Sequence, residues 1–355
     1  MTSLSVTMIV RDGAATLGRV LEHAGAFCDE LVVVDTGSRD DSRAIAKAAG
    51  ARLAEFPWRD DFAAARNASL DLCRGDWVMW LDADDVVPAA SRAAVKELVL
   101  DDRLDAVTAP YQYGFDPVTD ACVALVPRER LARRVPGLRW VGAVHEVLAV
   151  PGDRREYRAD LVVEHRPAPG RSRGTRNLDI LERVVRQGDR SRRTLFYYAR
   201  ELRDLGRDAE AVDQFTAYLT DPGADWEHHA ALLCLADCHA HLGDPHAQLD
   251  ALHTALRVDS SRAEAHLALG TFHADRDQWP QALPYFSAAA STTPPTTGFI
   301  TLPTYTWRAW DYLSLCLAKL DRHQESITAA LHSLRLGNPD RTRLLDNINW
   351  SARSI

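Results

Sequence analysis

The sequence predicts an α/β domain on a mostly parallel sheet, residues 1–190, followed by an all-α domain of repeated helix pairs, residues 191–355. Three observations carry this prediction. Strand-like and helix-like apolar runs alternate over residues 1 to about 115, as they do in successive β-α-β units. Strand signals vanish beyond about residue 192. In that second half, turn residues recur at equivalent places in successive helix pairs.

Ser5 to Val10 is a short apolar strand. Ala15 to Ala26 has helical spacing, with Leu17, Val20, Leu21 and Ala24 on one face. Glu30 to Val34 is nearly all apolar, as a strand covered on both faces should be. Ser42 to Ala49 is a helix closed by Gly50. Arg52 to Phe56 is a third strand, Asp61 to Leu72 a helix, and Trp77 to Leu81 a fourth strand. Residues from about 125 to 175 are Arg-rich and carry Pro127, Pro136, Pro151, Pro167 and Pro169. That composition predicts short strands and mobile loops.

In the second half Gly206, Gly243, Asp277 and Asp321 mark the turns of four helix pairs, each followed five residues later by Ala211, Gln248, Ala282 or Ser326. The turns are spaced by 37, 34 and 44 residues, the longer two intervals holding insertions at Pro222–Glu227 and Thr292–Thr304. Leu269-Gly270, His273, Ala282, Phe286, Ala289 and Pro294 resemble the 34-residue tetratricopeptide pattern, in which small residues let one helix approach the next.

The chain has 355 residues, 46% hydrophobic and 26% charged, with a formal charge of −8. This excludes fibrous and disordered classes and suits two domains. The acidic balance argues against a general nucleic-acid binder. No apolar run reaches the roughly 18 residues of a membrane span, and no basic segment precedes the first apolar run, as a signal peptide would require. Lysine occurs only at Lys47, Lys96 and Lys319, arginine supplying the other basic groups. The six cysteines, Cys28, Cys73, Cys122, Cys234, Cys238 and Cys316, are sparse, so a reduced cytoplasm is expected rather than a disulfide framework. Cys234 and Cys238 beside His239 and His241 read as helix core with solvated histidines, since a zinc site needs a distant second ligand pair.

Ligands of an open parallel sheet bind beyond the carboxyl ends of its strands. That rule brings together Asp12 after the first strand, Asp35 after the second, and Asp82-Ala83-Asp84-Asp85 after the fourth. Converging carboxylates repel unless a cation sits among them. Mg²⁺ or Mn²⁺ bridging a diphosphate meets that demand. Val10-Arg11-Asp12-Gly13-Ala14 is no dinucleotide fingerprint, and no Gly-Lys-Ser/Thr follows a strand. A nucleotidyltransferase would need a Gly-rich basic loop after the first strand, which is missing.

Four segments in order resemble the signatures of family 2 glycosyltransferases with the GT-A fold: Ser5–Val10, Val32–Asp40, Asp61–Asn67 and Gly75–Asp84. The resemblance spans about residues 4 to 185. It implies that Val10, Arg11, Asp12, Asp35, Asp61, Arg66, Asp82, Ala83, Trp140 and Arg173 contact a nucleotide-diphosphate sugar, with UDP the family default. Asp84 and Asp82 would hold Mn²⁺ or Mg²⁺. Arg11-Asp12-Gly13 stands where Lys-Asn-Glu is usual, placing the acidic group one position early. Trp140–Glu146 resembles the family's aromatic-x-Gly-x-x-His-Glu segment, and Glu164-His165 with Arg176-Asn177-Leu178 resembles its late His and next helix.

An inverting transfer needs a carboxylate to take the acceptor's proton. Glu146 is the candidate, with His145 beside it and Asp116 and Asp120 as alternatives; His165 would complete the metal shell, with His145 second. Arg166, Arg171, Arg173 and Arg176 could close on the diphosphate. A transferase domain joined to tetratricopeptide repeats also resembles a bacterial subgroup that includes peptide S-glycosyltransferases. The repeats then imply a peptide or protein acceptor, and a homodimer is a further partner to consider. The competing expectation is a tetratricopeptide interaction protein whose transferase domain is a degenerate relic.

Overall fold

The computed structural model describes residues 2–170 and 174–355. Two compact units, Met1–Arg190 and Ser191–Ile355, make up the chain.

The first unit begins β1 (Leu4–Val10), α1 (Ala14–Gly25), β2 (Glu30–Asp35), α2 (Ser42–Ala48), β3 (Arg52–Glu55), α3 (Phe62–Leu72), β4 (Trp77–Trp80), β5 (Asp85–Val86) and α4 (Ala89–Leu98). It continues with β6 (Ala106–Phe115), β7 (Cys122–Arg133), β8 (Arg139–Val141), β9 (Val147–Ala149), β10 (Arg155–Tyr157), β11 (Val163–His165) and α5 (Arg176–Arg186). The main sheet runs β3-β2-β1-β4-β7-β6-β11-β5, and β10 lies beside β6. β1 to β4 pair in parallel, because each is joined to the next through a helix. Leu4, Val6, Met8 and Val10 pack with Leu17, Val20 and Leu21 of α1. Val32, Val78 and Trp80 pack with Ala63 and Leu70 of α3. Both faces are covered, which is why these strands are so uniformly apolar.

Register sets the working edge. Val10 is level with Asp35, and Thr7 with Trp80. The turns after β1, β2 and β4 therefore open at one end of the sheet. Beyond β4 the chain folds back, so that β5 pairs antiparallel with β11 and Asp85 lies opposite His165.

The region expected to hold short strands and loops does hold four three-residue strands, β8 to β11, but it begins within a longer one. β7 is a 12-residue strand, antiparallel to both β4 and the ten-residue β6. Its one proline and its arginines disguised it. Pro127 is level with Pro110, so the two missing N–H groups fall at one rung. Arg130 replaces an apolar core residue, with no exposed surface.

The second unit consists of α6 (Arg192–Asp204), α7 (Asp208–Leu219), α8 (Asp225–His241), α9 (Pro245–Val258), α10 (Ala263–Ala274), α11 (Trp279–Ala290), α12 (Ala309–Lys319), α13 (His323–Arg335) and α14 (Arg341–Arg353). The turns at Gly206, Gly243, Asp277 and Asp321 all have positive φ, 72°, 75°, 54° and 57°. A left-handed residue ends the first helix of each pair, a conformation glycine adopts freely and aspartate tolerates. Ala211 and Ala282 have no exposed surface. At Gly270 any Cβ would run into the ring of Phe286, so α10 and α11 approach as closely as the repeat pattern demands. Cys234 and Cys238 are buried in α8, and all six cysteines are free thiols. A kinked turn at Thr304–Arg308, with Thr306 at φ −117° and ψ −105°, leads into α12, and its Tyr305 hydroxyl donates to Glu264.

His229 on α8 is 2% exposed, and its Nε2 finds no partner. Burial, helped by the charge of Arg262, pushes it from 6.5 down to about 4. The unfolded chain therefore takes up the proton first as pH falls. The stabilisation is complete above about 6.5 and is lost progressively toward about 4. The repeat unit should lose about 2 kcal/mol between pH 7 and pH 5 from this residue. Urea denaturation of the wild-type chain and His229→Leu at both pH values checks this, and the variant should lack that loss.

Candidate functional site

β4 ends at Trp80, and the next turn carries the acidic run. The ligand atoms of Asp82, Asp84, Asp85 and His165 all lie within 4.8 Å of one another. Their side chains are 30%, 10%, 0% and 23% exposed, respectively. His165 Nδ1 is 3.4 Å from both Asp84 Oδ1 and Asp85 Oδ1. Burial works against a charged imidazole here, but the hydrogen bond with Asp85 and the charges of Asp84 and Asp82 prevail and raise His165 above an ordinary histidine. Carboxylate oxygens with one imidazole nitrogen, close enough to share one ion, fit a divalent cation. Asp84 belongs to this group as expected, and Asp82 and His165 with it. Asp85 joins them.

Two arginines offset this concentration of negative charge. Arg66, on α3, donates from Nη2 to Asp82 at 2.6 Å and from Nε to Glu146 at 2.5 Å. Its guanidinium lies 4.8 Å from the Trp80 ring centroid and 5.0 Å from that of Trp140. The two indoles meet edge to face. Burial alone would raise Asp82, but the charge and hydrogen bond of Arg66 hold it well below the usual carboxylate range. Arg130, on β7, bridges Asp85 at 3.2 Å.

The loops after β1 and β2 are tied to each other. Asp12, at φ 50°, accepts the Arg39 amide at 2.7 Å, and its own amide donates to Ser38 Oγ. The Val10 carbonyl accepts from the amide and hydroxyl of Thr36. Asp35 is 1% exposed and accepts the amides of Gly37 and Ser38. The carboxylates of Asp12 and Asp35 brace these turns and stand outside the converging group. Arg11 is exposed. The Ala83 carbonyl accepts from Thr16 Oγ1 at 2.8 Å, which anchors the acidic turn to α1.

Asp61 caps α3 by accepting the Ala64 amide. Asn67 exchanges two hydrogen bonds with the Trp140 backbone, as a neighbouring strand would. The turn after β8 then passes through Gly142 at φ 99° and His145 at φ 51° to Glu146, which is 7% exposed. His145 is not in the converging group. Asp116 braces the β6–β7 turn by accepting the amides of Val118 and Thr119. Arg166 bridges Asp120 and Glu164, and its amide donates to the Asp84 carbonyl. Arg176 lies over Phe62. Arg171 and Arg173 fall outside the described residues.

Arg130 and Tyr111 carried no expectation from the sequence, and Asp85 and Asn67 none of their own beyond the acidic run and the motif that contain them. Asp85 stood beside the recognised pair, and Asn67 within a recognised segment. Nothing in the sequence distinguished Arg130 from its neighbours Arg128 and Arg133 until the strand was known.

The Arg66 clamp is also structural. Arg66→Met would leave Glu146 buried without its counter-charge, and should cost about 3–5 kcal/mol. Adding Glu146→Gln removes that buried charge and should restore part of the loss. Urea denaturation of the two variants measures both changes.

Residues 5–125 match the sequence profile of the family described as Glycosyl transferase family 2. A TPR repeat-containing protein of Synechococcus elongatus is 37% identical over 155 residues, 42% of this chain and 36% of that protein. The SPbeta prophage-derived glycosyltransferase SunS of Bacillus subtilis is 24% identical over 231 residues, 59% of this chain and 52% of SunS. The chain thus spans about half, or less, of the length of these curated relatives. Among solved structures, glucosyl-3-phosphoglycerate synthase of Mycobacterium tuberculosis is 22% identical with a TM-score of 0.40, covering 54% of this chain and 81% of that one. MamA is 16% identical with a TM-score of 0.36, covering 44% and 79%. Residues 5–125, with the acidic turn at the end of β4, thus match family 2 glycosyltransferases, and the chain continues into a unit of tetratricopeptide-type helix pairs.

Proposed function

We propose that the protein is a metal-dependent, inverting glycosyltransferase that moves a sugar from a nucleotide-diphosphate donor, a UDP-sugar by family default, to a peptide or protein acceptor. The observation that carries this reading is the convergence of Asp82, Asp84, Asp85 and His165, the three aspartates lying within the residues that match family 2. Asp84, Asp82 and His165 would hold Mn²⁺ or Mg²⁺. When bound, the cation supplies charge neutralisation to the departing diphosphate.

The remaining work falls to the chain. Asp12, Asp35 and the loops they brace shape the nucleotide side, with Val10, Arg11, Asp61 and Ala83. Arg66 and Trp140 line the pocket, and Arg166, Arg173 and Arg176 supply charge for the phosphates. The acceptor heteroatom attacks the anomeric carbon as the bond from that carbon to the diphosphate oxygen breaks. The bonding pair leaves with the nucleotide. Glu146 takes the proton that the acceptor gives up, after Arg66 has released it. The repeats would present the acceptor, since such arrays offer extended surfaces to peptides. Among the described residues no helix is long and apolar enough to cross a membrane. Six free thiols support a cytoplasmic setting.

Asp84→Ala should abolish Mn²⁺-dependent UDP binding in calorimetry while leaving the fold intact. UDP binding in that variant equal to wild type would refute the metal assignment. Glu146→Gln should lower kcat by about 100-fold or more with donor affinity within about twofold. Retained kcat with weakened donor binding would instead limit Glu146 to holding Arg66.

A further inference from the structure

Arg130 is the least expected side chain in the first unit. It has no exposed surface, and its Nε and Nη2 find no hydrogen-bond partner among the described residues. Only Nη1 is engaged, with Asp85 at 3.2 Å and the Trp80 carbonyl at 3.3 Å. The guanidinium lies between two rings, 3.7 Å from the centroid of Trp80 and 4.0 Å from that of Tyr111. The Trp80 indole is itself tethered to the Glu129 carbonyl. A buried, under-satisfied cation is an expensive way to fill a core, and an apolar residue of similar volume would generally stabilise the fold as well or better. Its retention points to the group it touches.

That group is Asp85, which has no exposed surface either. Besides Arg130, Asp85 accepts the Tyr111 hydroxyl at 3.0 Å and the Asp82 amide at 2.9 Å, and sits 3.4 Å from His165 Nδ1. One carboxylate thus touches the backbone of one expected metal ligand and the ring of another. Asp82 and Asp84 keep exposed side-chain surface, whereas Asp85 has none.

We propose that Arg130 is a positioning residue: held between Trp80 and Tyr111, it fixes Asp85 as a non-ligating brace that orients His165 and the Asp82 turn for a divalent cation. This rests on reading the cluster as a metal site. The alternative is that Asp85 is itself a ligand and Arg130 competes with the ion for it. The two ideas predict opposite signs. Loss of a brace weakens metal binding, as changes behind the direct ligands commonly do by about 10–100-fold. Loss of a competitor strengthens it.

The test titrates the 355-residue chain with Mn²⁺ alone, reading free Mn²⁺ by electron paramagnetic resonance and the nitrogen coupling of the bound ion by pulsed methods. Arg130→Met is expected to bind Mn²⁺ at least about tenfold more weakly and to lose or reduce the histidine nitrogen coupling. Unchanged or tighter binding by a folded Arg130→Met overturns the proposal. Should that variant fail to fold, Arg130→Lys keeps a buried cation beside Asp85 but removes the planar group held between the rings, and carries the same test. Weaker binding with diminished nitrogen coupling supports the brace, and wild-type affinity and coupling overturn it. Asp84→Ala is the control. If the wild-type chain itself shows no Mn²⁺ binding that Asp84→Ala removes, the metal reading has failed rather than the role of Arg130.

Discussion

Everything at the working edge depends on a balance of buried charge. Three carboxylates and an imidazole converge where β4 ends, and in a medium less polar than water their repulsion would open the turn. Two arginines inside the protein oppose it. Arg66 reaches Asp82 from α3 while holding Glu146 with its other arm. Arg130 reaches Asp85 from β7. Trp80 lies against both guanidiniums, so one indole at the end of the strand keeps two cations near the anions they compensate.

The sheet explains how such a site is assembled. The parallel strands β1, β2 and β4 aim their carboxyl ends one way because helices return the chain between them. The long antiparallel β6–β7 hairpin extends the sheet and brings Tyr111 and Arg130 beside the acidic turn. β11 then pairs with β5, placing His165 level with Asp85. The acidic turn supplies three of the four converging groups, and β11 supplies the fourth.

The second unit follows a different rule. Its helix pairs repeat a left-handed turn and a close crossing, at Gly270 against Phe286 most clearly. This is local, modular packing, in which small residues set the distance between helices. Its legibility in the sequence has the same origin: the periodic turns are set by conformational preference rather than distant contacts.

The sequence by itself determined the strand–helix alternation, the positions of the repeat turns, and the acidic run Asp82–Asp85 at a strand end, because apolar period, glycine conformation and charge are properties of neighbouring residues. The tertiary structure alone decided that Arg130 and Tyr111 surround that run, and it brought to Asp85 the His165 that only the family resemblance had named. His165 lies 80 residues from Asp85 along the chain, and Arg130 lies 45 away. Their meeting depends on strand register, in which a slip of one residue turns a side chain to the other face. The same cause hid β7. An arginine-rich strand interrupted by proline looks like a linker until the carboxylate that accepts the arginine, and the rung where the two prolines face each other, are in place.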